Sequence, residues 1–331
     1  MLTVAKVTAG QAAGYAEYLQ GKAQAPELGD YYLREGERVE APGRWAGGAR
    51  AVGVDPESPV SSDQLRALMA VCRPDTGAAL RQVGGSGEAV AAIDATFSAP
   101  KSVSAVWAVG SSELRGRIER SHEQAIDRAL SYAVEHAPMI RERLDKRTVT
   151  HARPVEVIAT SWRHTTARAV NDQPPDPQLH SHVLLHGAVR SDGRVVAIES
   201  RAWLVHRREL GAAYRTELAR ELAGLGFQVE RGTGRGGRYF ELGGVPTGLL
   251  DRWSSRHHQV REAIDARLRE KEMALMQDVA SGCLGGEEGS ARLAALRLGA
   301  VGAGGGPVDG RVHSSLQAAP GDPRRPRSTW G

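Results

Sequence analysis

The chain has 331 residues, 41% of them hydrophobic and 25% charged, which allows one large domain or two modest ones around a real core. It contains no run of about 18 apolar residues that would read as a membrane span. Its opening MLTVAKVTAGQAAGYAEYL lacks the regions of a secretory signal, and its two cysteines are too few for a disulfide framework or a cysteine zinc site, so a reduced, cytoplasmic setting fits. A net charge of +4 does not announce a nucleic-acid partner, although the arginine-rich base content permits one.

In chain order, residues 2–8 (LTVAKVT) alternate as a strand, and Thr8 or Gly10 opens a helix running to about Gln20. Residues 21–60 are rich in Gly, Pro and charge and predict a long loop. Ser61 or Ser62 starts a helix through Leu65, Leu68 and Met69. Residues 91–99 (AAIDATFSA) predict a strand closed by Pro100, and Leu114, Ile118, Ile126 and Leu130 give helical spacing from about Ser111 to His136. Two strands follow at about 154–162 and 179–189, then a helix from Arg201 to Leu225, a hairpin in FQVERGTGRGGRYFEL, and one long charged helix over 248–277. Strands mixed with helices, without a βαβ repeat, predict an α+β fold: a central antiparallel sheet with helices packed on one face and a histidine cluster on the other.

From about Val279 the sequence turns dense in Gly, Ala, Arg and Pro. The domain expectation is therefore 1–278 for the folded part and 279–331 for a disordered tail, whose composition fits out-of-frame translation of a longer reading frame. Gly232-x-Gly234-x-x-Gly237 matches the dinucleotide fingerprint letter for letter, but it sits between two strand-like segments and opens no helix, so it reads as a hairpin loop.

The chemistry concentrates in PQLHSHVLLHGAV. Period two puts His180 and His182 on one strand face, with Cα atoms roughly 6.6 Å apart, so that both imidazoles can reach one ion. His164, placed just past the end of the preceding strand, would complete a three-nitrogen face with open positions for water or substrate oxygen. His186 shares the parity but lies roughly 13 Å further along the strand. Asp94, on a face with Thr96 and Ser98, is placed to fix a ligand imidazole or to accept a nucleophile's proton. Four of the seven tyrosines, Tyr15, Tyr18, Tyr31 and Tyr32, fall in the first tenth of the chain. A tyrosine can attack a phosphodiester and conserve its bond energy, although an N-terminal tyrosine pair taken alone is more often packing.

At these residues the chain resembles the relaxases of the TrwC/TraI type, the MobF family of the HUH endonuclease group, from residue 1 to about 270. The resemblance rests on GDYYLREGE…PGRWAGGARAVG, on DATFSAPKSVS, on RHTTAR followed by DPQLHSHVLL, and on LGAAYRTELARELAGLGFQV. It implies a palm-like relaxase domain that nicks single-stranded DNA at an origin of transfer through a tyrosine and stays linked to the 5′ phosphate. It further implies that His164, His180 and His182 hold one divalent ion and that Asp94 supports a ligand histidine or the tyrosine. Ungapped counting selects Tyr18 as the first nucleophile, while pairing on the Ala-Ala-Gly run selects Tyr15. Tyr18 is preferred. Tyr31 matches the second catalytic tyrosine, with Tyr32 its neighbour. Mg²⁺ or Mn²⁺ is expected, though three imidazoles also suit Zn²⁺, Ni²⁺ or Co²⁺. Arg163, Arg168 and Lys101 are the candidate phosphate contacts. Relaxosome accessory proteins and a type IV secretion coupling protein are the partners the resemblance implies. Members commonly continue into a helicase, which the sequence after about 270 does not match. The rival readings are a rolling-circle initiator or transposase of the same group, and a non-catalytic DNA-binding remnant.

Overall fold

The computed structural model describes residues 1–20, 41–82, 89–143, 145, 148–170, 173–232, 239–281 and 283–303. The chain divides into two compact units, 1–259 and 260–331. The first is built on an antiparallel sheet of β1 (Leu2–Thr8), β3 (Val90–Ser98), β7 (Pro177–Val189), β6 (Glu156–Thr166) and β2 (Arg44–Gly47), in that spatial order, with β8 (Val195–Val196) added to β7. The expected α+β class and antiparallel sheet are thus present. Two small hairpins, β4 (Ile140–Arg143) with β5 (Val149–Ala152) and β9 (Val229–Arg231) with β10 (Phe240–Leu242), lie off the sheet. The second closes around the Gly-rich stretch as expected, although residues 233–238 fall outside the described residues.

Alternation sorts the two faces. One carries Leu2, Val4, Ile93, Ala95, Phe97, Val157, Ala159, Leu179, Val183 and Leu185, packed against α4 (Ser112–His136) and α5 (Ser200–Gly224). These helices bury Ile118, Ala125, Ile126 and Ala129, and Trp203, Leu210, Tyr214, Leu218 and Leu222. Local signals start both: Ser111 Oγ accepts from the Leu114 amide at 3.3 Å, and the Glu199 carboxylate from the Arg201 amide at 3.2 Å.

The other face is not free of helices, which corrects the one-sided expectation. α1 (Ala12–Leu19) and α2 (Ser62–Met69) cover part of it, burying Ala12, Ala16, Leu19, Leu65, Leu68 and Met69 with Trp45, Trp162, Ile158 and Leu184. Ala12, Ala16 and Leu19 are spaced by four and three residues and form the stripe that seats α1 on the sheet. Ser61 caps α2, with Gln64 answering in a capping box.

Three further expectations are revised, each because of a contact remote in sequence. The supposed loop before Val60 contains β2, a short edge strand that bulges between Trp45 and Gly47. Gly48 there adopts φ +67°, and a Cβ on Gly47 would lie 2.6 Å from the Val157 carbonyl, so the glycines that disguised the strand are what let it approach β6. α3 (Lys101–Val109) was not expected, since Val103, Val106 and Val109 make KSVSAVWAV a weak helix former. Its first turn is capped by Glu241 of β10, which accepts from the Ser102 amide at 3.0 Å and from the Ser102 hydroxyl. The single charged helix over 248–277 is instead α6 (Thr247–Arg252) and α7 (Ser255–Ala280), the second starting where Asp176 accepts from the Ser255 amide at 2.7 Å.

In the second unit, α8 (Gly286–Ala303) is helical where a disordered tail was expected from Val279; its Ala, Leu, Arg and Glu content outweighs the glycines that suggested disorder. Residues 304–331 lie outside the described residues. Among the described residues no helix is long and apolar enough to cross a membrane.

Because Leu19 is the large, fully buried side chain of α1, Leu19→Ala is expected to cost about 2–5 kcal/mol of stability. Urea denaturation checks this; a loss below about 1 kcal/mol would mean that the helix is not seated as described.

Candidate active site

The register of three strands assembles the cluster. β6 pairs with β7 so that His164 lies opposite His180, and β7 pairs with β3 so that His180 lies opposite Ser98 and His182 opposite Thr96. Residues directly across an antiparallel pair have Cβ atoms about 4.5–5.5 Å apart. One donor atom from each of His164, His180 and His182 consequently lies within 4.8 Å of the others. His164 is inside β6 rather than past its end, so strand pairing and not a loop sets its position.

The donors are prepared for an ion. The His182 Nδ1 lies 2.8 Å from Asp94 Oδ2, an interaction that fixes the ring, and the His182 Nε2 is buried with no hydrogen-bond partner. His180 turns its Nδ1 to the Gln178 carbonyl at 2.9 Å. Burial, reinforced by the neighbouring His182, pushes His164 down to about 4 and His180 down to about 3, so both imidazoles are neutral at pH 7, the form that can ligate a metal. An unsatisfied buried nitrogen among neutral imidazoles is what a divalent cation would complete. The residues fit one.

Asp94 is a hub. It is 4% exposed, and its Oδ2 accepts from the Tyr15 hydroxyl and, at 3.2 Å, from Thr96 Oγ1, besides meeting His182. Its Oδ1 is buried without a hydrogen-bond partner. Burial first, and then the Asp94 carboxylate, holds the Tyr15 phenol well above its usual range. Tyr18, one turn on, sits with its ring centroid 5.5 Å from that of His164 and 5.7 Å from that of His182. It lines an open cleft of about 190 Å³ together with Ser98, His164, Arg168, Gln178 and His180. The last turn of α1 touches the triad directly, since His164 Nε2 lies 3.3 Å from the Leu19 carbonyl. Tyr31 and Tyr32 lie outside the described residues.

The three basic candidates separate. Arg168 lines the cleft. Lys101 gives its amine to the Pro177 carbonyl at 2.8 Å, and burial pushes it down to about 8 against the pull of Asp176. Arg163 does not reach the site. Its odd position between Trp162 and His164 turns it to the opposite face, where Glu119 at 3.0 Å and Glu123 at 2.5 Å hold it against α4. Sequence reasoning missed Arg81, which donates to the carbonyls of His186 at 3.0 Å and of Val90 and Ala91 at 2.9 Å and so fastens β7 to β3. Gln178 was also missed. Its contribution is a backbone carbonyl, for which a sequence carries no signal.

Three imidazoles within reach of one ion, a carboxylate fixing one of them and phenols in ring contact are the groups that metal-assisted, tyrosine-dependent phosphoryl transfer requires. The chain belongs to the TrwC relaxase family, whose model matches residues 9–282. It is 32% identical over 245 residues to a multifunctional conjugation protein TraI of Escherichia coli, and 30% identical over 245 residues to that of strain K12. Each alignment covers 70% of this chain and 13% of the relative, so the chain spans a small part of those proteins. Among solved structures it is similar to the conjugative relaxase TrwC in complex with oriT DNA in a metal-bound form, with TM-score 0.63 and 28% identity over 81% of this chain and 84% of that one. A copper-bound form of the same complex matches at TM-score 0.59 and 28% identity, over 90% and 91%.

His186, set aside from the triad, is buried on the same face with its Nε2 3.0 Å from Thr160 Oγ1, and burial, with Arg81 adding to it, pushes it down to about 3. The unfolded chain takes up a proton below about pH 6.5 that this folded histidine refuses, so its contribution is complete above that value and is lost as pH falls toward 3. The urea midpoint of the wild type should therefore fall more steeply on acidification than that of His186→Gln, by up to about 1.4 kcal/mol per pH unit of converted stability. Parallel slopes would show that His186 protonates in the folded state.

Proposed function

We propose that this chain is a relaxase domain that cuts single-stranded DNA at an origin of transfer, leaving a 5′-phosphotyrosyl link for conjugative transfer. The observation that carries the reading is the convergence of His164, His180 and His182 within 4.8 Å beside the Tyr18 ring. The TrwC structures with oriT DNA are consistent with the same substrate here.

His164, His180 and His182 would hold a divalent ion, Mg²⁺ or Mn²⁺ on this reading. Bound there, it would polarise the scissile phosphate as a Lewis acid and offset charge developing on its oxygens. The Tyr18 oxygen attacks phosphorus, the bond from phosphorus to the 3′ oxygen breaks, and the departing 3′ oxygen takes up a proton from solvent. The phenol proton passes to Asp94, whose Oδ1 is a buried acceptor without a partner. Tyr15, bound to Asp94 and costly to ionise, holds that carboxylate in place instead of attacking. Arg168 at the cleft is the phosphate grip, Lys101 braces the start of β7, and Tyr31 and Tyr32 remain the candidates for the closing strand transfer.

The relaxase domain is assigned to residues 1–278, a limit supported by the family match ending at 282, with 279–331 as a separate C-terminal segment. A cytoplasmic location, relaxosome accessory proteins and a type IV coupling protein belong to the same proposal, with the family match as their support.

With a labelled single-stranded origin oligonucleotide and Mn²⁺, Tyr18→Phe is expected to abolish the covalent adduct, while Tyr15→Phe retains it at a lower rate; a chelator should suppress it in both wild type and Tyr15→Phe. Denaturing electrophoresis with peptide mapping checks this. An adduct that survives in Tyr18→Phe and vanishes in Tyr15→Phe would reverse the two roles.

A further inference from the structure

Behind the histidine cluster, on the opposite face of the sheet, lies a polar chain that the proposed chemistry does not use. His122 of α4 is fully buried, with Nε2 3.0 Å from the Ser181 hydroxyl of β7 and Nδ1 2.7 Å from the Tyr214 hydroxyl of α5. Ser181 and Tyr214 are fully buried too, and all three sit within the apolar cluster that includes Phe97, Ala125, Val183 and Leu218. Polar groups in such a layer cost desolvation that an aliphatic replacement would avoid, so their pairing calls for a role beyond filling space.

The position of Ser181 suggests that role. It is the residue between His180 and His182, and period two makes its side chain the handle on the reverse face of the segment that presents both imidazoles. A neutral imidazole has one donor and one acceptor nitrogen, matching two hydroxyl partners. Burial holds His122 well below its usual range and keeps it neutral. The link therefore joins α4 and α5 to one residue of β7 with directional bonds, which apolar contacts beside it do not supply.

We propose that His122 is a positioning residue that, through Ser181 and Tyr214, fixes the strand segment carrying His180 and His182 and so sets the spacing of the three imidazoles. The inference rests on the reading of those histidines as metal ligands.

The test compares His122→Leu, His122→Gln and Leu218→Ala, the last an apolar truncation of a fully buried residue on α5. Two quantities are measured on the whole chain: Mn²⁺ affinity by calorimetric titration, and amide hydrogen exchange at residues 180–183 relative to the rest of the sheet. His122→Leu should weaken Mn²⁺ binding by about 10-fold or more, in the range seen for partners that orient metal ligands, and should speed exchange selectively at 180–183. His122→Gln, which keeps a donor and an acceptor at its tip, should recover much of both. Leu218→Ala should lower global stability yet leave affinity and the exchange pattern near wild type. Unchanged affinity in His122→Leu, or equal weakening in Leu218→Ala, overturns the proposal. If the wild type binds no Mn²⁺, the ligand reading fails, and the exchange data alone decide: selective loss at 180–183 supports the positioning role, and a uniform change rejects it.

Discussion

The site depends on one constraint, the pairing of β7 between β6 and β3. Because side chains alternate with a period of two, the same register that puts His164 opposite His180 also puts Thr96 opposite His182 and sends Ser181, Val183 and Leu185 to the other face. A slip by one residue would bury the imidazoles among the α4 and α5 contacts and expose the aliphatic set. The core therefore protects the cluster: keeping Val183 and Leu185 inside is the same event as keeping His180 and His182 together. Arg81 reinforces this by holding carbonyls of both β3 and β7.

Around that constraint the polar face is arranged so that burial is tolerable. Asp94 collects Tyr15, Thr96 and His182 on a single oxygen, which orients one imidazole and ties α1 to β3 at once. The helix that carries the tyrosines is thus fixed twice, by Leu19 in the small core and by hydrogen bonds at the site. What stays open is the cleft beside Tyr18, lined by Arg168 and two of the histidines. Such a division, with one phenol held by a carboxylate and its neighbour lining the cleft, separates two tyrosines that sequence spacing alone left nearly equivalent.

Much of this was legible in the chain. The alternating strands β1, β3 and β7 and the helices α2, α4 and α5 carry their own signals: period, Ser at the N-cap of α2 and α4, and a buried stripe. The elements that were missed lack local signals and draw on distant partners. α3 begins under a carboxylate 139 residues away, α7 under one 79 residues away, and β2 is a four-residue edge strand too short to show a period and set among glycines.

The sequence by itself determined which groups exist to do chemistry: the His-x-His pair and its third histidine, the lone acidic residue of the β3 strand, the N-terminal phenols, and the family they mark. Parity also settled that His180 and His182 share a face, because a strand cannot place residues two apart on opposite sides. Only the tertiary structure decided which of the remaining groups meet. It turned Arg163 to the glutamates of α4, gave Tyr15 to Asp94 and Tyr18 to the cleft, and set His122 behind the cluster. The reason is reach. Local sequence dictates the direction of a side chain relative to its own element, but its partner is set by strand register and helix packing, which depend on residues a hundred positions away.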